Sequence, residues 1–210
     1  MAENNKLKEL NSREAILYAG ALCFMEKGFA ATSIDDIAER IGATKGMVYH
    51  YFSSKGELFI EIQQKGMDAL FRVINPFLQK NLSPLEQFTA MCRAHVRTLL
   101  ETQPYQRTLS EGVHMHLRHK GNLAQGEQLK QVQRRRVEYE EIFLNVFMEG
   151  VKKQQLHAKN PRLAVRLILA GFNSVIAWYQ PRENETHDDR EAFIATVVNT
   201  VLHGVLTPVQ

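Results

Sequence analysis

Thr32 to Phe59 reads TSIDDIAERIGATKGMVYHYFSSKGELF, a stretch that divides into two short helices, a tight turn between them, and the start of a third. Ser33 is placed to cap the first helix, and Asp36 three residues on supplies a carboxylate variant of the capping box. Ile34, Ile37, Ala38 and Ile41 then recur at helical spacing, and Gly42 offers a backbone free to take positive φ where that helix must end. Thr44 is placed to cap the next short helix, Lys45 to Tyr51. Two short helices at a sharp angle, the second turned outward, form a helix-turn-helix over about residues 33–52, and a helix so presented has the dimensions of the DNA major groove.

The side chains of the second helix suit that surface. Gly46 has nothing to hold a DNA backbone away, and Thr44 and Lys45 sit at the helix N-terminus, where hydroxyl, ammonium and free amides favour phosphate or base-edge acceptors. Met47 is suited to a thymine methyl and His50 to a phosphate or purine. Ile34, Ile37, Ala38, Val48, Tyr51 and Phe52 read as the packing that holds the three helices together.

The same run resembles the DNA-binding domain of the TetR family of bacterial transcriptional repressors. The matching residues are Thr32, Ile37, Ala38, Gly42, Thr44, Gly46, Val48, Tyr49, Tyr51, Phe52, Ser54, Lys55 and Leu58, with Gly28 and Phe29 resembling the family's end of helix 1. The chief departure is Ile41-Gly42-Ala43, where the family more often carries Ala-Gly-Val; the turn glycine is kept. The resemblance implies an all-α protein in two parts, a DNA-binding domain at residues 1–55 and a helical effector-binding and dimerisation domain at 56–210. It further implies that Tyr49 grips the phosphate backbone, that Lys55 and Thr32 anchor further phosphates, and that a homodimer reads a palindromic double-stranded operator and leaves it when a small molecule binds.

Composition is compatible with this and does not by itself suggest it. Net charge is only +3 over 210 residues, and residues 1–55 hold seven basic and seven acidic side chains. With few phosphate contacts available per subunit, useful affinity calls for a dimer. No segment has the length and apolarity of a membrane span, and the N-terminus lacks the apolar stretch of a signal peptide, so no membrane partner and a cytoplasmic location are expected. Cys23 and Cys92 are too few for a disulfide framework, and Cys23 among Ala19, Leu22 and Met25 reads as a small core residue.

About nine helices follow from the apolar periodicity, with no alternating run that reads as a strand. Ser12 opens the first, whose Ala15, Ile16, Ala19, Leu22, Cys23 and Phe24 make one face. The fourth runs from near Ser54 to Asn75, before Pro76; Ser83-Pro84-Leu85-Glu86 opens the fifth; Pro104 precedes the sixth; the longest spans Leu123 to about Gln155; Asn160-Pro161 opens the eighth; and Asp188 or Asp189 caps the last.

Two features bear on the effector. RLILAGFNSVIAWYQP, Arg166 to Pro181, resembles the same region of TetR regulators that respond to coenzyme A thioesters, those of steroid-ring and fatty-acid breakdown among them; Trp178, Tyr179 and Pro181 carry the match, and Ala177 stands where the steroid-ring regulators tend to have Arg. Tyr105 to Arg136 holds seven basic residues against Glu111 and Glu127, an excess able to hold coenzyme A phosphates and equally what a solvated helix face looks like. The expected ligand set is Tyr105, Arg134, Arg135, Arg136, Phe172 and Trp178. The alternative is a lipophilic effector, as for a multidrug-responsive repressor of an efflux pump; an activator also fits the sequence. Of His114, His116 and His119 only the last two share a helix face, so neither a metal site nor a cofactor is expected. No phosphate-cradling loop, G-x-S-x-G elbow or H-E-x-x-H helix suggests an enzyme. The stripe Val165, Ile168, Leu169, Phe172, Val175, Ile176 and Tyr179, with Phe193, Val197, Val201 and Val205, suggests a four-helix interface between subunits.

Overall fold

The computed structural model describes residues 12–118 and 126–202. Among these residues there are nine α-helices and no strand: α1 Ser12–Ala31, α2 Ile34–Arg40, α3 Lys45–Tyr51, α4 Lys55–Ile74, α5 Pro84–Glu101, α6 Gln103–Arg118, α7 Gly126–Lys152, α8 Pro161–Trp178 and α9 His187–Leu202, with a 3₁₀ turn at Asn75–Gln79. The chain forms two compact units, Met1–Asp68 with Thr102–Arg134, and Ala69–Glu101 with Arg135–Gln210.

In the first unit α1 is the axis. Every residue from Ala15 to Phe24 is buried, so the helix is covered all round rather than on the single face that periodicity suggested. Small residues make this possible: Ala15, Ala19, Gly20 and Ala21 admit neighbours closely, and a Cβ at Gly20 would meet Ile62 Cδ1 at 2.9 Å. The helix breaks at Gly28, whose φ of 78° lies outside helical space. Two contacts secure the break. Glu111 of α6 accepts from the Phe29 N–H at 2.8 Å, and Lys55 of α4 donates to the carbonyls of Phe29 at 2.8 Å and Thr32 at 2.7 Å. Phe24, Phe29 and Phe59 pack together beneath, with Phe29 and Phe59 centroids 4.6 Å apart.

The helix ends follow their sequence signals, with one correction. Ser33 and Asp36 form the full capping box of α2, and Ser83 with Glu86 does the same for α5. Asn160 caps α8 by accepting from Leu163 N–H at 3.0 Å. The cap of α9 is Thr186, not Asp188 or Asp189: Asp189 N–H donates to Thr186 Oγ1 at 3.1 Å and Asp189 Oδ2 accepts from Thr186 N–H at 3.0 Å. Asp189 thus stands at the third position of the box, where a carboxylate reaches back to the cap.

The core of the second unit is aromatic. Phe88 packs edge-on against Phe143 and Phe147, at 5.8 and 5.3 Å. The stripe of α8 from Val165 to Tyr179 is buried here, so it serves the protomer's own core. The outward face of the same helix carries Leu163, Leu167 and Trp178, all exposed.

One buried titratable group gives this unit a pH signature. His95 is driven down to about 4 by burial, only partly offset by the Asn173 amide. The unfolded imidazole protonates near pH 6.5 and the folded one not until about 4, so between these values the unfolded state binds more protons and stability falls as pH falls. Urea unfolding should show a loss from this group on the order of 3 kcal/mol across that window, and His95→Leu should remove that share of the slope.

Candidate nucleic-acid interface

Between α2 and α3 the turn has the form of a Schellman end. Gly42 takes φ 65°, its N–H donates to Glu39 O at 3.0 Å and the Ala43 N–H to Ala38 O at 2.9 Å. Thr44 then accepts from the Met47 N–H at 3.3 Å and starts α3. Only Val48 of α3 is buried; Thr44, Lys45, Gly46, Tyr49, Tyr51 and His50 are exposed and Met47 half-buried. Tyr51 therefore lies at the surface rather than in the packing, its ring edge-on to His50 at 5.1 Å.

Charge on this surface is held in exchangeable pairs. Lys45 Nζ lies 2.8 Å from Asp35 Oδ2, with both side chains largely in solvent, a pair that contributes little and that a phosphate can replace. Lys27 donates to Asp36 at 2.5 Å; this ammonium first, and then the Ser33 hydroxyl and N–H, hold the Asp36 carboxyl well below its ordinary range. Arg40 grips Glu26 through both nitrogens, at 2.8 and 2.6 Å, tying α2 to α1.

Gly46 has no internal reason to be glycine. Its backbone is helical, and a Cβ there would meet nothing closer than Thr44 Oγ1 at 3.8 Å. Glycine in a helix costs roughly 0.5–1 kcal/mol relative to alanine, and nothing within the protein offsets that cost at this position.

Two of the residues expected at phosphates are used otherwise. Thr32 is 2% exposed, and its hydroxyl donates within the protein, to Gly28 O at 2.8 Å or Cys23 O at 3.1 Å. Lys55 directs its ammonium at the carbonyls that end α1 and stacks over Phe29 at 4.5 Å. Both brace the helix-turn-helix from below, so their side chains do not fit the phosphate-anchoring expectation. Lys55→Met should destabilise the protein by about 1.5–3 kcal/mol, the range for a lost charged hydrogen bond, because it orphans those carbonyls; thermal unfolding reads this directly. Glu111 and Arg40 are bracing residues that the sequence did not point to. Glu111 lies 82 positions from its partner, and no local pattern announces such a pair.

The expected ligand residues fall in both units. Tyr105 and Arg134 belong to the first unit and Arg135, Arg136, Phe172 and Trp178 to the second. Tyr105 is half-buried, its ring centroid 6.1 Å from that of Tyr18, and burial raises its phenol. Arg134 pairs in solvent with Glu127 at 2.5 Å, the solvated-face reading of the basic run. Arg135 lies over the Phe71 ring at 5.1 Å, and burial lowers the Arg136 guanidinium. Phe172 is fully buried in the core. Trp178 is 58% exposed, edge-on to Phe193 at 5.8 Å, at the rim of a half-open pocket of about 310 Å³ that Tyr179, Arg182 and Glu185 also line. The side chains of His114, His116 and His119 lie outside the described residues.

Comparison with known proteins matches both parts. The profile of bacterial regulatory proteins of the tetR family covers residues 16–62, and that of the tetracyclin repressor-like C-terminal domain covers 81–205. The transcriptional repressor KstR2 of Mycolicibacterium smegmatis is 26% identical over 185 residues, spanning 86% of this chain and 85% of its own. The structure of the ketosteroid regulator KstR2 of Mycobacterium tuberculosis superposes with a TM-score of 0.81 at 21% identity, over 94% of this chain and 96% of its own. That of AibR in complex with isovaleryl coenzyme A and operator DNA gives 0.71 at 21% identity, over 90% and 97%. At those identities the two structures speak to the fold.

Proposed function

The chain belongs to the tetR family of bacterial regulatory proteins, and on that premise we propose that it is a dimeric repressor that reads a palindromic operator through α3 and leaves it when a small effector binds. It is a transcriptional regulator and not an enzyme. The single observation that carries the reading is Gly46, an exposed helical glycine with open space above it. A DNA backbone in close approach needs that space.

Residues 1–55 are the DNA-reading part in this proposal and 56–210 the effector-binding and dimerisation part. Thr44, Lys45, Gly46, Met47, Tyr49 and His50 form the contact surface, with Lys45 exchanging Asp35 for a phosphate, while Thr32 and Lys55 hold it in shape. Tyr49→Phe tests the phosphate role. Losing one hydrogen bond to a charged group costs about 1.5 kcal/mol, and two heads make this roughly a hundredfold in dissociation constant. The loss should be similar on operator and on scrambled duplex, since phosphate contacts position and do not specify. An unchanged affinity with altered sequence preference would contradict the assignment.

Dimerisation is proposed through the outward face of α8 and α9. Leu163, Leu167 and Trp178 are exposed along one side of α8, interleaved with exposed Ala170, Ser174 and Ala177, a spacing of three and four that forms a seam. A groove of about 520 Å³ lined by Leu163, Leu167, Ile168 and Val201 lies on this face. For the effector we propose a coenzyme A thioester. The AibR structure contains isovaleryl coenzyme A, and Arg135 supplies a cation over the Phe71 ring in the second unit, with the half-buried Arg136 next to it in the chain.

A further inference from the structure

His95 projects from α5 into the aromatic core of the second unit and is 1% exposed. Its Nδ1 lies 2.9 Å from the Tyr139 hydroxyl. Its Nε2 has no hydrogen-bond partner among the described residues; Asn173 approaches the ring without making one of ordinary geometry. The rings of Tyr139, Phe143 and Phe172 enclose it, with centroids 5.6, 6.1 and 6.1 Å away.

Counting protons fixes the tautomer. Burial keeps the imidazole neutral near pH 7, so one nitrogen carries hydrogen. If Nδ1 carries it, the Tyr139 O–H and the bare Nε2 are both left unpaired. If Nε2 carries it, the Tyr139 O–H donates to Nδ1 and a single donor, Nε2–H, stays unmet. The second arrangement orphans fewer groups and is favoured. A buried donor without an acceptor is destabilising, and an apolar side chain would fill this place better if packing were its only role.

We propose that Nε2–H of His95 is the recognition point for an effector with an apolar body and a carbonyl oxygen, the oxygen accepting that hydrogen bond while Tyr139 holds the tautomer. The inference rests on the effector reading above and specifies its contact. The surrounding order of groups matches an acyl thioester of coenzyme A. Phe71 packs edge-on to Tyr139 at 5.3 Å, and the Arg135 guanidinium covers Phe71, so the aromatic wall beside the donor ends at a cation suited to phosphate. Because Nε2 is buried from solvent, in a ring flanked by those of Phe143 and Phe172, a ligand reaches it only when the helices part. Such a ligand prefers the parted conformer, the differential affinity without which no effector shifts an equilibrium.

Calorimetry on the full chain tests this with octanoyl coenzyme A, the S-octyl thioether that lacks only the carbonyl oxygen, and coenzyme A alone. The parent should bind thioester about tenfold more tightly than thioether, the worth of one buried hydrogen bond. The double variant His95→Phe with Tyr139→Phe replaces both partners with rings of similar shape, and should bind the two ligands alike. Should that variant not fold, Tyr139→Phe alone frees Nδ1 to take the proton and should shrink the preference. Equal binding by the parent, or a preference that survives the substitutions, overturns the His95 contact and leaves the effector reading intact. Absence of binding by both thioester and thioether overturns the thioester reading and the contact together.

Discussion

Gly46→Leu should abolish operator binding while leaving the fold intact or slightly firmer. Leucine is a strong helix former, and the position is open, with the nearest atom to a new Cβ at 3.8 Å. Replacing glycine there relieves a helix cost of roughly 0.5–1 kcal/mol, so thermal unfolding should occur no earlier than in the parent. On DNA the outcome reverses. A leucine side chain at the N-terminus of α3 stands between the helix and the phosphate backbone, and each head loses contacts to charged oxygens of about 1.5–3 kcal/mol. Two heads bring this to roughly 3–6 kcal/mol, a hundredfold to ten-thousandfold in dissociation constant. Fluorescence anisotropy and a melting curve on one preparation read both halves. Unimpaired binding would mean that the glycine has some other cause.

Leu167→Asp should break the dimer and operator binding with it. Leu167 is 62% exposed in the protomer, so aspartate is readily hydrated there and the single chain should stay folded. In a two-fold interface the same carboxylate is buried twice, and an unpaired buried charge costs about 3–5 kcal/mol. Sedimentation should therefore show a monomer at concentrations where the parent is dimeric. Operator affinity should then fall by a further factor of roughly 10²–10⁴, because two linked heads become two independent ones. A variant that remains dimeric would place the interface elsewhere on the chain.

How much could be read beforehand depended on how local each determinant was. Ser33, Asp36, Gly42 and Thr44 each bond to a partner three residues away, and their caps and positive φ stand as the sequence indicates. Most helix starts were legible for the same reason; the one expected at Leu123 lies outside the described residues. For Thr32 and Lys55 a family match identifies a position without saying which way its side chain points; both turn inward to end α1. The α8 stripe misled differently. Its apolar residues are core, and the outward seam of Leu163 and Leu167 is diluted by Ala170, Asn173 and Ser174, so periodicity reports the stronger face. His95 belongs to no motif in the sequence. Only the core built from α5, α7 and α8 reveals the Tyr139 contact, 44 positions away, and the unmet nitrogen.

The central claim is that α3 reads DNA as part of a two-headed molecule, and selection of bound fragments from genomic DNA with the purified chain tests it most directly, run in parallel with Gly46→Leu. The predicted result is enrichment of fragments sharing an inverted repeat with the parent chain and none with the variant. Recovery of no common sequence, or of the same fragments by both proteins, would contradict it.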